Sequence, residues 1–229
     1  EASIEGIEMD ADGLVVDALA ERLEAGLRPK FLYLIPEYQN PTGRTLPLER
    51  RQALVELCRR HGVLIFEDVA YRELSFDGTS LPSLWSLAPD VVVQAGTFSK
   101  IFSPGLRLGW VVAPPPVLGR INLGKQQADL CTSTLSQILV HAYFEHHDWR
   151  EYVGALTELY RARRDTMLDA LAEHFPPQAE WTRPGGGLFI WATLPDFIDT
   201  SDLLAGGVRG NVAFGPGGGA VLGGRGPGP

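Results

Sequence analysis

The sequence predicts an α/β fold, a mostly parallel sheet flanked by helices and followed by part of a smaller α+β unit. Three observations predict it. Four short runs, at 31–35, 63–66, 91–95 and 108–113, are apolar almost throughout, as strands are when both faces of their sheet are covered. Stretches with helical spacing alternate with the first of these runs. Turn residues stand between them, among them Pro36, Gly43, Gly62 and the triplet Pro114-Pro115-Pro116.

Taken in order, residues 12–27 repeat apolar side chains at helical spacing, and Gly26 and Pro29 close the segment. Residues 31–35 read as a buried strand and 36–43 as turns. A helix over 48–61 sets Leu54, Leu57 and Cys58 on one face, with His61-Gly62 as its end. Strands follow at 63–66, 91–95 and 108–113. Residues 118–145 read as helices with a break near 131–133. One long helix is expected over 149–174, with Tyr152, Leu156, Leu159, Tyr160 and Met167 on its buried side. Residues 180–194, with Gly185-Gly186-Gly187 in their middle, read as a hairpin. From Gly206 onward almost half the residues are Gly, so an irregular chain is expected. The division that follows is 1–147 for the sheet domain, 148–205 for a bridging helix and part of a second domain, and 206–229 for a Gly/Pro-rich tail.

With 229 residues, 45% of them hydrophobic, the chain can bury a sizeable core. Its net charge of −8 argues against a nucleic-acid surface. The pairs Arg59-Arg60 and Arg163-Arg164 read as solvated helix faces. Two distant cysteines, Cys58 and Cys131, make no disulfide framework and fit a reducing cytoplasm. No apolar run has the length of a membrane span. The first twelve residues are acidic where a signal peptide is basic, and a chain starting at Glu1 is expected to begin inside a longer protein.

The polar residues fall at the strand ends. The first strand leads to Gln39-Asn40-Pro41-Thr42-Gly43, the second to Glu67-Asp68-Val69-Ala70-Tyr71, the third to Gly96-Thr97-Phe98-Ser99-Lys100, and Arg107 precedes the fourth. In an open parallel sheet, ligands bind outside these carboxyl ends. Thr97, Ser99 and the Arg107 fork suit a phosphate. Lys100, partly desolvated beside it, can condense with an aldehyde. Asp68 on a strand tip needs a cationic partner, which a protonated pyridine nitrogen supplies. Tyr71 and Asn40 can bond a phenolic oxygen. A pyridine aldehyde carrying a phosphate answers all of these demands.

Four strings, PEYQNPTG, IFEDVAYREL, GTFSKIFSPGLRLGW and RPGGGLFIWATLP, resemble in order and spacing the class I/II aminotransferases of fold type I. The run KQQADLCTSTLSQ, with QNPTG and GTFSK, resembles the branch acting on 2-aminoadipate, aromatic and branched-chain substrates. The resemblance implies pyridoxal 5'-phosphate as cofactor and an incomplete fold type I large domain. Lys100 would join the cofactor as a Schiff base, Asp68 would pair with its ring nitrogen, and Tyr71 and Asn40 would bind its O3′. Thr97, Ser99 and Arg107 would hold the phosphate, and Asn40 would also touch the substrate carboxylate. An amino acid and a 2-oxo acid are the implied substrates, and a homodimer is the implied assembly. A lyase on the same fold, or the effector domain of a transcription regulator, are the alternatives.

Against that family the chain reads as truncated ahead of Glu1 and aberrant after Gly217. Arg225 lacks the setting of a carboxylate clamp. A poorly stable chain with little activity of its own is therefore expected. His141, Glu145, His146 and His147 lack the spacing of a zinc helix and read as a polar helix end.

Overall fold

The structure is a computed structural model and describes residues 3–219. A short hairpin pairs β1 (Met9–Asp10) with β2 (Gly13–Leu14). Next come α1 (Val16–Glu24), β3 (Phe31–Leu34), α2 (Leu48–His61), β4 (Leu64–Asp68), the single-turn α3 (Leu84–Leu87), β5 (Val92–Thr97) and β6 (Gly109–Val112). Three helices follow, α4 (Pro115–Ala128), α5 (Thr134–His146) and α6 (Trp149–His174). The described chain then holds β7 (Glu180–Trp181), β8 (Ala192–Thr193) and α7 (Thr200–Arg209).

The central sheet has the order β3-β4-β5-β6. The first three strands are parallel, and β6 returns antiparallel along β5. Helix α2 is the crossover between β3 and β4, and α3 lies in the crossover from β4 to β5. The architecture is thus α/β with a mostly parallel sheet. The turn from α2 into β4 is set by Gly62, whose φ of 65° lies in the left-handed region. Its N–H bonds to the Arg59 carbonyl, and Val63 N–H bonds to the Cys58 carbonyl at 2.9 Å, a closure that stops the helix and aims the strand.

One face of the sheet carries the core. Leu34, Ile65 and Val92 pack there against Leu19 and Leu23 of α1 and Leu54, Leu57 and Cys58 of α2. Each fully buried Leu contributes roughly 1.5–3 kcal/mol of transfer free energy. The other face is covered at β5, where Val93 is buried, and open at the β3 edge. Phe31 and Tyr33 alternate onto it and stay about half exposed, each tilted against the Phe66 ring. No helix of the described residues lies over them in the way α2 lies over Ile65.

Helix α6 runs over the residues the sequence assigns to it. Asp148 caps it, accepting hydrogen bonds from Arg150 N–H at 2.9 Å and Glu151 N–H. Its buried stripe is different. Val153, Thr157, Leu168 and Leu171 are inside, whereas Tyr152, Leu159 and Met167 face out. The inner residues share the face that carries Arg164. That side chain is not on a solvated face, as expected, but donates to the Pro184 carbonyl at 2.6 Å and lies over the Phe76 ring.

Glycines 206 and 207, expected in irregular chain, complete the last turn of α7. Asp199 starts this helix by accepting from Ser201 N–H at 2.7 Å. Gly207 lets the chain fold back, because Val212 N–H reaches its carbonyl at 2.9 Å where a side chain would crowd the Val212 backbone. Arg225 and the rest of the tail beyond residue 219 lie outside the described residues.

Candidate active site

Parallel strands point their carboxyl ends to one edge. β3, β4 and β5 therefore deliver Asn40, Asp68 and Tyr71, and Thr97, Ser99 and Lys100 to the same rim, and antiparallel β6 brings Arg107 to it from its amino end. All seven sequence-chosen residues stand on this rim. They form three groups.

The first group is Asn40, Tyr71 and Lys100. Tyr71 is buried and meets Phe189 edge-on. Asn40 Nδ2 lies 3.5 Å from the Tyr71 hydroxyl, the long limit of such a contact. Burial raises the Tyr71 phenol above its ordinary value, the Asn40 amide partly opposing it. Lys100 Nζ is 5.9 Å from the centre of the Tyr71 ring. Lys100 is half-buried, and its ammonium has no hydrogen bond or carboxylate partner among the described residues.

The second group is Thr97, Ser99 and Arg107. Thr97 Oγ1 accepts from Ser99 N–H at 3.0 Å and donates to the Leu108 carbonyl. Arg107, at φ 51°, aims Nη1 at Ser99 Oγ and the Pro104 carbonyl. Its Nε and Nη2 donors have no protein partner among the described residues, so the fork keeps donors for an anion. Gly96, just ahead of this turn, has a packing reason: a side chain there would overlap the Trp110 indole. Gly109 likewise faces the Gly96 carbonyl.

Asp68 is the third. Its Oδ1 accepts from Ala70 N–H at 3.0 Å, a local turn bond of the kind a capping Asp makes. Its Oδ2 accepts from the Tyr33 hydroxyl at 2.9 Å. No hydrogen bond or ion pair joins it to the other six. Sequence reasoning missed Tyr33. The signal was partial: an aromatic hydroxyl within an apolar strand calls for a partner, but the register of Tyr33 with Phe66, which sets it on the face of Asp68, comes from the fold.

The loop that holds Asn40 is anchored by charge. Glu37, 5% exposed, lies between Arg51 Nη1 at 2.6 Å and Arg72 Nη1 at 2.8 Å. Arg51 is fully buried and also bonds the Leu46, Pro36 and Pro82 carbonyls. Burial still raises the Glu37 carboxyl above its usual range, because both guanidiniums reach Oε1 and Oε2 has no partner among the described residues. Tyr38, next in the chain, packs against Gly186 and Gly187, where side chains would overlap its ring. The Gly triplet is thus a close-packing device between the hairpin and this loop.

Two cavities, of about 440 Å³ beside Phe102, Tyr143 and His147 and about 450 Å³ beside Arg44, Trp181 and Trp191, lie off the seven-residue rim. His141 pairs with Glu145 on an exposed helix face. Among the described residues no cluster of His, Cys, Asp or Glu could hold a metal, and no helix is long and apolar enough to cross a membrane.

The donor set on the rim fits one kind of ligand, a planar cationic ring with an anionic tail. A carboxylate would meet the ring nitrogen, phenol and amide an edge oxygen, an amine the reactive carbon, and hydroxyls with a guanidinium the tail.

The chain matches known proteins over nearly its whole length. It is 40% identical to an aromatic-amino-acid aminotransferase of Thermococcus litoralis over 216 residues, 92% of this chain and 52% of that protein. It is 42% identical to a 2-aminoadipate transaminase of Thermus thermophilus, covering 90% of this chain and 53% of the relative. A crystal structure of an alpha-aminoadipate aminotransferase, also from Thermus thermophilus and complexed with N-(5'-phosphopyridoxyl)-L-leucine, superposes with a TM-score of 0.91 at 40% identity, over 96% of this chain and 57% of that one. The chain spans about half the length of the curated relatives it matches. The model of the family described as aminotransferase class I and II matches residues 2–203, and the chain belongs to that family.

Proposed function

We propose that the whole protein transfers an amino group between an amino acid and a 2-oxo acid, with pyridoxal 5'-phosphate as its cofactor. One observation carries the reading: a half-buried, unpaired lysine shares a single sheet edge with a carboxylate, a buried phenol and an arginine that keeps donors free. When bound, the cofactor supplies an electron sink for the charge left at the substrate Cα.

The residues divide the work. Lys100 would bind the cofactor at its aldehyde carbon and, once released by the incoming amine, would move the proton at the substrate Cα. Asp68 would hold the proton on the ring nitrogen. Tyr71 and Asn40 would orient the ring through its O3′, and Asn40 would also meet the substrate carboxylate. Thr97, Ser99 and Arg107 would hold the phosphate, whose charge a guanidinium fork matches. The residue divisions 1–147, 148–205 and 206–229 remain our reading of the domain plan.

The relatives are named for aromatic amino acids and 2-aminoadipate, so these are the substrates to assay first. Both are aminotransferases, which sets this reading above the lyase and the effector domain. We also place the protein in the cytoplasm, which its free cysteines fit. We read it as a homodimer, for which the exposed Leu135, Ile138 and Leu139 of α5 offer an apolar stripe.

The test is spectroscopic. Added pyridoxal phosphate should give a protein-bound visible absorbance band that Lys100→Ala abolishes. Amino transfer should require a 2-oxo acid. A band retained in Lys100→Ala overturns the assignment of the lysine.

A further inference from the structure

We infer that Tyr33 is a positioning residue for Asp68, fixing the plane of the carboxylate that would face the cofactor ring. The inference rests on the function proposed above and extends it to a side chain outside the seven.

The geometry is specific. Tyr33 lies opposite Phe66 in the parallel pairing of β3 and β4, two positions before Asp68 on the same face. Its ring tilts against Phe66 with centroids 5.9 Å apart, which leaves the hydroxyl one reach further along the strand. There it donates to Asp68 Oδ2 at 2.9 Å. Ala70 N–H occupies Oδ1 at 3.0 Å. A carboxylate bonded at both oxygens by donors on separate segments cannot rotate freely about its Cβ–Cγ bond. Each oxygen keeps a second lone pair, so the group remains an acceptor for a ring N–H. The neighbouring ionisable groups on the rim are Tyr71 and, beyond it, Lys100. Neither bonds Asp68, which leaves Tyr33 as the side chain that sets its orientation among the described residues.

The phenol answers to the same contact. It is raised well above its ordinary range, first by burial and then by the hydrogen bond to Asp68, so it stays a donor at every pH of enzymatic interest. A purely structural reading makes the pair a staple between two strands. The two readings part on whether the hydroxyl matters to the ring's partner or only to the fold.

A double-mutant cycle separates them, read as the dissociation constant of pyridoxal 5'-phosphate by equilibrium dialysis on the whole protein. Tyr33→Phe keeps the ring and its Phe66 packing and removes only the hydroxyl. It should weaken binding about five- to tenfold, the net size of one ordinary hydrogen bond. In an Asp68→Asn background the same change should shift binding less than about twofold. Thermal unfolding of the cofactor-free Tyr33→Phe protein checks that the fold is kept. Equal loss in both backgrounds, or wild-type affinity in Tyr33→Phe, overturns the positioning role while the proposed function stands. A whole wild-type protein that takes up no cofactor at all overturns the functional reading and this inference with it.

Discussion

The sheet with α1 and α2 buries the apolar residues it turns inward, whereas α4 and α5 leave most of theirs in the open. Leu19, Leu23, Leu54, Ile65 and Val92 are at most 1% exposed, and they close on one another within some 75 residues of chain. Helix α4 has no buried residue and α5 has only Val140. Leu118, Leu123, Leu135, Ile138 and Leu139 face outward. What ties α5 down is aromatic: Phe98 and Phe102 meet Phe144 edge-on, and Phe144 stacks on Trp149. Helices of both regions carry apolar side chains, and those of α4 and α5 are the less charged. The difference is whether the chain supplies a second surface, and a helix gains most of its stability from that surface rather than from its own propensity.

The largest effect should come from Arg51, where the better-packed region holds charge. Arg51→Ala removes one of two guanidiniums facing Glu37 and strips partners from the Leu46, Pro36 and Pro82 carbonyls. Breaking a buried pair in this way costs about 3–5 kcal/mol. Urea unfolding should show the loss, and Asn40, three residues from Glu37, should lose its place with it. A cost below about 1 kcal/mol would mean that the loop is held by its backbone alone.

Next in size is the contrast itself. Leu54→Ala empties a fully buried position in α2 and should cost about 2–5 kcal/mol. Leu123→Ala in α4, half exposed, should change stability by less than about 0.5 kcal/mol. If Leu123→Ala costs as much as Leu54→Ala in solution, α4 is covered there by a second copy of the chain, and dilution should reduce the effect.

The sequence shows much of this, and its failures have physical causes. Helices α2 and α6 are legible to the residue because Gly62 and Asp148 mark their ends with local chemistry. The rim is legible because a parallel sheet leaves its strand ends no choice of edge. Partners are not legible. Arg51 reads as one more polar helix residue beside Arg50, and only the fold shows that it lies inside while Arg50 pairs with Asp10 at the surface. The buried stripe of α6 is misread because Tyr152, Leu159 and Met167 are as apolar as the residues that do find a surface. The Gly triplet reads as a turn, though what demands it is the ring of Tyr38, nearly 150 residues earlier.

The two cysteines serve as reporters of the two regions. Cys58 is fully buried in the core of α2, and burial pushes its thiol from 9.0 up to about 12. Cys131 is exposed between α4 and α5. The raised value has a definite sign. Below pH 9 the thiol is neutral in folded and unfolded chains alike, and its contribution to stability is intact. As pH rises from 9 towards 12 the unfolded chain gives up the proton and the folded chain keeps it, so folding weakens. At pH 10 the loss is about 1.4 kcal/mol, the value of one pH unit. The raised phenols of Tyr33, Tyr38 and Tyr71 act in the same direction but start from 10.0. Comparing urea midpoints at pH 8 and pH 10 in the wild type and in Cys58→Ala isolates the thiol: the variant should lose less between the two. Iodoacetamide at pH 8 should label Cys131 in minutes and Cys58 only at the rate of unfolding. Equal labelling of both would mean that the sheet core opens as readily as the α4–α5 surface, and the contrast between the two regions would not hold in solution.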